Sequence, residues 1–315
     1  MIYKPLVSVV MNCLNGEQFI SKAIESVFAQ TYSNWEIIFL DNASTDHSIE
    51  IAQSFGDRVR CFKNERTVPL GEARNQALKK VKGELVAFLD VDDIWFPDKL
   101  TRQVPLFEGR PEIGIVYSDT DLLNEDRACS ELYFKVHQCK PLRGYIFESL
   151  LKHYAIPMLT TVVRIEVLQK MPQWFDSSYQ VCDDFDFFMR VCYDWEVDYV
   201  NTSLASCLIH SAATTVRMHR FAPSEMAKTL EKLRSTHEDF DERFGLSATK
   251  LSEQITYKQG VSYWRDGLGP QARREFAKYL TKKKYLYTYV ASYFPFSLIE
   301  RARNFYYNMA SSIFS

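Results

Sequence analysis

Three short polar segments carry most of the chemistry this sequence could do. Asn12-Cys13-Leu14-Asn15-Gly16 follows one apolar run, Asp41-Asn42-Ala43-Ser44-Thr45-Asp46 a second, and Asp90-Val91-Asp92-Asp93 a third. Two of the three are acidic. Three carboxylates within four positions repel one another, so each must be solvated, hydrogen-bonded or neutralised by a cation. A hard divalent ion is the simplest remedy. Oxygen ligands of this kind suit Mg²⁺ or Mn²⁺, ions that keep water and add phosphate oxygens instead of sitting in a closed protein cage. The ligand so implied is a di- or triphosphate compound. A solvated acidic turn ahead of a helix at Pro97 accounts for the same cluster, and the cluster alone leaves both readings open.

Such segments need strands behind them, because open α/β sheets bind ligands beyond the carboxyl ends of their strands. The first 120 residues alternate short β-branched or aromatic runs with stretches of helical period, as in a parallel sheet covered by helices. Candidate strands are Leu6 to Met11, Trp35 to Leu40, Arg58 to Phe62, Glu84 to Leu89 and Ile113 to Tyr117. Phe19, Ile20, Ala23, Ile24, Val27 and Phe28 recur at helical spacing, predicting a helix over Gly16 to Gln30. A second helix is expected near Ser44, with Ser44, Thr45 or Asp46 as cap. A third should run from Gly71 to Lys80, and Pro97 suits the first turn of a fourth. Beyond Ser118 two more strand-like runs, Thr160 to Arg164 and Val197 to Val200, and a helix opening at Asp183-Asp184 form a substrate-binding extension. From Pro223 the composition shifts to Lys, Glu, Arg and aromatics at helical spacing, so the expected domains are 1–222, divided into halves 1–120 and 121–222, and a helical extension 223–315.

Composition bounds the rest. The 315 residues, 46% hydrophobic and 25% charged, describe a globular chain long enough for one large domain and part of another. Lys+Arg 38 against Asp+Glu 40 leaves a net charge of -2, so no global field draws the protein onto nucleic acid. The seven cysteines form no CxxC pair and are odd in number, which argues against a disulfide framework or zinc finger. MIYKPLVSVV lacks the long apolar region of a signal peptide, and no window approaches the ~18 apolar residues of a bilayer span. A reducing cytoplasmic setting is expected, with any membrane contact peripheral and on the inner face.

Taken together, PLVSVVMNCLNGEQFISKAIESVFAQTYSNWEIIFLDNASTD, LGEARNQAL and GELVAFLDVDDIWFPDKL resemble a family 2 glycosyltransferase of the non-processive, bacterial polysaccharide type. The resemblance covers roughly residues 5 to 220, its blocks in the family's order and spacing. It implies an α/β GT-A fold, a Rossmann-like mixed sheet flanked by helices, and an inverting transferase for nucleotide-diphosphate sugars. By this resemblance Asn12, Asn15 and Asp41 hold base and ribose, with Asp41 accepting from a uracil-type edge; Asp46 caps its helix. Arg74 faces either the diphosphate or the acidic cluster. The family's DxD motif falls on Asp90, Asp92 and Asp93: Asp92 is the favoured metal ligand, while Asp90 and Asp93 hold ribose, waters or the outer shell of Mg²⁺ or Mn²⁺.

Val181-Cys182-Asp183-Asp184-Phe185-Asp186-Phe187-Phe188-Met189-Arg190 resembles the family's acceptor-side block, in which Asp184 matches the catalytic base and Asp183 replaces the usual Glu. Carboxylates in a helix's first turn are favoured by the dipole in any case, and that dipole should lower the pKa of Asp184. His210 looks like the histidine of the segment after the last core strand, completing a metal site or binding diphosphate. The family's Tyr and Arg just before it are Cys207 and Leu208 here, so cationic help with phosphate is missing at that point. QxxRW and flanking membrane spans, marks of processive synthases, are not found.

The expected partners are a nucleotide-sugar donor, UDP-linked by preference, and a glycan or lipid-linked acceptor. Tyr257 to Leu280 resembles most of one tetratricopeptide-type hairpin, with Gly260, Tyr263, Ala272 and Phe276 at packing positions. Lys282-Lys283-Lys284 then precedes a run of aromatics through Tyr307, which suits either a bilayer interface or a helical cap. Two other functions fit parts of the pattern. A nucleotidyltransferase would carry a Gly-rich, basic loop after the first strand, and Asn12 to Gly16 has none. A non-catalytic scaffold would bind nucleotide without turnover and work through its tail.

Overall fold

The computed structural model describes residues 3–124, 130–210 and 213–301. Its contacts divide the chain into two compact units between Arg217 and Met218. Cys129, two residues of the His210 block (Ser211 and Ala212) and the tail aromatics Phe305, Tyr306 and Tyr307 lie outside the described residues.

The first unit is a mixed sheet of nine strands among the described residues: β1 (Val7–Cys13), β2 (Trp35–Asp41), β3 (Val59–Lys63), β4 (Leu85–Phe88), β5 (Ile94–Trp95), β6 (Ile113–Asn124), β7 (Ser130–Leu132), β8 (Val162–Arg164) and β9 (Glu196–Ile209). They lie in the order β3-β2-β1-β4-β8-β6-β9-β5, with β7 on β6. Helices α1 (Ile20–Phe28), α2 (Ser48–Gln53), α3 (Leu70–Leu78), α4 (Lys99–Gln103), α5 (Tyr133–Val136), α6 (Phe147–Lys152), α7 (Ile165–Lys170), α8 (Asp183–Asp194) and α9 (Thr214–Arg217) connect the strands or follow the last of them.

The β3-β2-β1-β4 half is parallel. VSVVMNC and WEIIFLD are buried almost throughout, as strands covered on both faces must be. Register sets the site: Cys13 pairs with Asp41 and Val10 with Phe88, so Asn12 and Asp90 stand two residues beyond that last pairing on adjacent chains. Ile20, Ala23, Ile24 and Val27 of α1 are fully buried against this core, the larger ones stabilising it by ~1.5–3 kcal/mol each.

Both early helices start later than the periodicity predicts, and for one reason. Gly16 to Phe19 and Ser44 to His47 are taken up in joining two loops. Asn15 N–H donates to Ser44 Oγ at 2.9 Å, Thr45 N–H to Asn15 Oδ1 at 2.9 Å, and Glu17 N–H to Asp46 Oδ2 at 3.1 Å. Asn15 and Ala43 hold φ of 55° and 64°, a left-handed backbone that costs a β-carbon-bearing residue energy and turns the chain sharply here. Asp46 also accepts from the Ser48 amide at 3.0 Å, but the N-cap of α2 is His47, without a side-chain cap bond, so none of Ser44, Thr45 and Asp46 takes the expected cap position.

Beyond β4 the sheet becomes mixed because β8 enters antiparallel to both β4 and β6. β6 and β9 run on past their predicted ends, to Asn124 and Ile209, as long parallel partners with register shifts between them.

The second unit holds α10 (Ala222–Thr236), α11 (Phe240–Arg265), α12 (Gly269–Ala277) and α13 (Lys283–Ala291). Ala272 and Phe276 are fully buried, packed with Trp264 and Tyr285. Gly260 lets α11 approach α12: a Cβ there would meet Phe276 Cε1 at 2.5 Å. Among the described residues no helix is long and apolar enough to cross a membrane.

Candidate active site

The carboxyl ends of β1 and β4, the start of α8 and the stretch after β9 surround a cavity of about 530 Å³ in the first unit. Asn12, Asn15, Arg74, Asp90, Asp92, Asp93, Asp183, Asp184 and His210 all line it. Of the site residues predicted from sequence only Asp41 lies outside the lining, fully buried at the end of β2. Its Oδ2 accepts from the Ser44 amide at 3.1 Å and stands 3.7 Å from Lys63 Nζ. Asp41 Oδ1 and Asn12 Oδ1 are buried with no hydrogen-bond partner among the described residues. Such atoms are rare, and each calls for a ligand, a water or a cost in stability. Asn15 is used differently from expectation: its amide oxygen and backbone N–H are committed to the second loop.

Arg74, on α3, is 4% exposed and reaches across the cleft. Its guanidinium donates to Asp183 Oδ2 at 2.6 Å and to Asp90 Oδ1 at 3.5 Å. Of its two expected faces the structure takes the acidic one. Burial opposes its charge, but Asp183 and Asp90 outweigh that and hold the guanidinium firmly protonated.

The DxDD segment splits into separate roles. Asp92 Oδ2 lies 2.9 Å from His210 Nε2, bringing the loop after β4 to the end of β9. Asp93 turns inward, its Oδ1 accepting from the Leu208 amide at 3.1 Å. Desolvation and the neighbouring carboxylates Asp92 and Asp90 push its carboxyl well above the usual range. Asp90 is raised too, by desolvation first, with Arg74 pulling the other way. Among the described residues no group of three or more His, Cys, Asp or Glu side chains is placed to hold a metal ion. An oxygen and an imidazole nitrogen on an open wall, amid crowded acids, still fit a divalent ion that takes its remaining ligands from phosphate and water.

At the start of α8 the two acids differ. Asp183 is buried in its ion pair with Arg74. Among the described residues Asp184 accepts from the adjacent Phe185 amide, at 2.7 Å, and no ion pair to it is formed. The helix dipole was expected to lower its pKa; instead desolvation, then Asp183, push it up to about 7 against the pull of Arg74. Sequence reasoning missed one lining residue, Arg217, and one residue packed beside the site but outside the lining, Tyr154. Arg217, exposed at the end of α9, belongs to no recognisable motif. Tyr154 sets its ring edge-on to Phe185 at 5.0 Å, and its buried Oη has no partner; nothing in its sequence surroundings marks it.

A parallel half-sheet with an acidic loop after β4 and a carboxylate-headed helix around one cleft is the arrangement to compare with known proteins. Residues 8–161 match the family model Glycosyl transferase family 2. An uncharacterized glycosyltransferase of Rickettsia typhi is 31% identical over 220 residues, covering 68% of this chain and 67% of that protein. The chain belongs to the family 2 glycosyltransferases. It is also similar to WfgD of Escherichia coli, UDP-Glc:alpha-D-GlcNAc-diphosphoundecaprenol beta-1,3-glucosyltransferase, at 27% identity over 217 residues, 69% of this chain and 81% of that one. In fold it resembles the mannosyltransferase PcManGT of Pyrobaculum calidifontis, solved with GDP-Man and Mn²⁺, with a TM-score of 0.60 over 92% of this chain and 85% of that one at 15% identity.

Proposed function

We propose that this chain is an inverting, metal-assisted transferase that moves a single sugar from a nucleotide-diphosphate donor, by preference UDP-linked, to a hydroxyl of a glycan or lipid-linked acceptor. The observation that carries this is the division between two adjacent acids. Arg74 neutralises Asp183, while Asp184 lines the same cavity with no ion-pair partner among the described residues and titrates near neutrality. A general base works best when its pKa lies close to the operating pH.

Asp184 takes the proton of the acceptor hydroxyl as that oxygen bonds to the anomeric carbon, and the bond from that carbon to the diphosphate oxygen breaks. One displacement inverts the centre, unlike the covalent route of retaining glycosidases. Asn12 Oδ1, on the cavity wall and unpartnered among the described residues, suits a donor on a base or ribose edge, while Asp41 Oδ1, fully buried behind the wall, would reach the base only if the end of β2 opens. Asp90 lines the same wall as Asn12, for ribose, and Asn15 holds the loop in shape. Asp92 and His210 would hold Mg²⁺ or Mn²⁺, with Asp93 behind them on the Leu208 amide. The bound ion supplies Lewis-acid neutralisation of the departing diphosphate.

The donor named for WfgD supports UDP-glucose as a first candidate, and its diphosphoundecaprenol acceptor supports a lipid-linked one. That acceptor, in turn, supports a place at the cytoplasmic face of a membrane. The second unit offers a surface for it: Lys282 and Lys283 precede an exposed row of Leu286, Tyr287, Val290, Tyr293 and Phe294.

The test is metal-dependent release of nucleoside diphosphate from UDP-, GDP- and dTDP-sugars by wild type, Asp92→Ala and Asp184→Asn. Release from one donor, dependent on Mg²⁺ or Mn²⁺ and abolished in Asp92→Ala, is expected. Folded protein that neither releases nor binds any of these donors would overturn the reading.

A further inference from the structure

We propose that Arg217 is a phosphate-binding residue of this cleft, taking negative charge on the donor's diphosphate. This rests on the nucleotide-sugar reading above. The lining carries five carboxylates, Asp90, Asp92, Asp93, Asp183 and Asp184, against two guanidinium groups, Arg74 and Arg217. Arg74 is buried and committed to Asp183 and Asp90. His210 is tied to Asp92. Arg217 alone among the lining arginines is exposed, and no acidic side chain pairs with it among the described residues.

Charge arithmetic gives that free guanidinium a task. With Arg74 spent on Asp183 and Asp90, a diphosphate entering the cleft meets no other guanidinium of the lining than Arg217, and carboxylates such as Asp92 repel it. A guanidinium presents a planar fork of donors that matches phosphate oxygens in pairs, and it stays charged at any working pH. Position agrees with this. Leu208 leaves the end of β9 without a basic side chain, whereas Arg217 follows on the same stretch, seven residues after His210, and faces the same cavity. Its backbone is anchored, Arg217 N–H donating to Ala213 O at 3.1 Å, so the side chain projects from a defined turn.

The diphosphate could instead belong to a lipid-linked acceptor, and the experiment separates the two sources. Calorimetric titration of the full chain with uridine, UMP and UDP in Mn²⁺ compares wild type, Arg217→Ala and Arg217→Lys, with guanosine and GDP as a parallel series. Arg217→Ala should bind the nucleoside diphosphate about tenfold or more weakly, as loss of a charged hydrogen bond implies. Nucleoside affinity should stay unchanged, which also reports an intact pocket. Arg217→Lys should recover part of the loss, since it restores charge but not the fork. Unchanged UDP and GDP affinity in Arg217→Ala, or an equal loss for the nucleosides, would overturn the assignment. So would a raised KM for a lipid diphosphate acceptor with donor binding intact. A wild type that binds no nucleoside diphosphate at all would take down the donor reading itself.

Discussion

At the scale of single residues the cleft turns on which acids are neutralised. Asp184 titrates near 7 because desolvation and Asp183 outweigh Arg74, so kcat should rise with pH through about 7 and level off above it. In Asp184→Asn that limb should vanish and kcat fall by ~10²–10⁴, the usual range for a lost general base. Stability should move the other way. The folded pKa of about 7 lies above the ordinary 3.8, so the favourable contribution of Asp184 is present below about pH 4 and lost as pH rises through about 7. At pH 8 Asp184→Asn should therefore melt ~2–4 °C higher than wild type by calorimetry, with little difference at pH 4. Much of this site is legible in sequence, because motif residues follow strand ends and strand ends converge. What sequence does not carry is pairing. The dipole argument for Asp184 reversed because its first turn is desolvated and shares its charge field with Asp183, and Arg74 meets Asp183 across 109 residues of chain.

At the scale of elements, the parallel strands are legible because burial on both faces writes an unbroken apolar run. The two-residue β5 and three-residue β7 leave no periodicity to read. The antiparallel entry of β8 depends on partners far away in sequence, and helix starts slipped where loop side chains captured residues of helical pattern. Helix approach in the second unit is open to test. Gly260→Ala places a methyl against the ring of fully buried Phe276, which overpacking data put at ~1–3 kcal/mol. Urea unfolding should show that loss, while nucleotide affinity in the first unit should be unaffected.

At the scale of the whole molecule, net charge is close to zero but its distribution is uneven. No acid occurs between Glu275 and Glu300, a span that contains Lys278, Lys282, Lys283 and Lys284. Tyr287, Val290 and Tyr293, at 68%, 56% and 62% exposure, project from and just beyond α13. The proposed membrane contact predicts cosedimentation with phosphatidylglycerol vesicles that weakens with salt and is lost in the Tyr287→Ser, Val290→Ser, Tyr293→Ser triple variant. Binding by wild type that the triple variant retains would instead assign this row to a covering role. The long spans that tie the cleft together bear on how the protein is made. Asp92 meets His210, and Leu208 meets Asp93, across 118 and 115 residues. Contacts so distant in sequence carry a large loop-closure cost and form late. A chain emerging from the ribosome can therefore complete its parallel half before any of these pairs exist. Until then Arg74 has Asp90 but not Asp183, and Asp92 and Asp93 lack His210 and the Leu208 amide, so the cleft is closed only by the last-made part of the first unit.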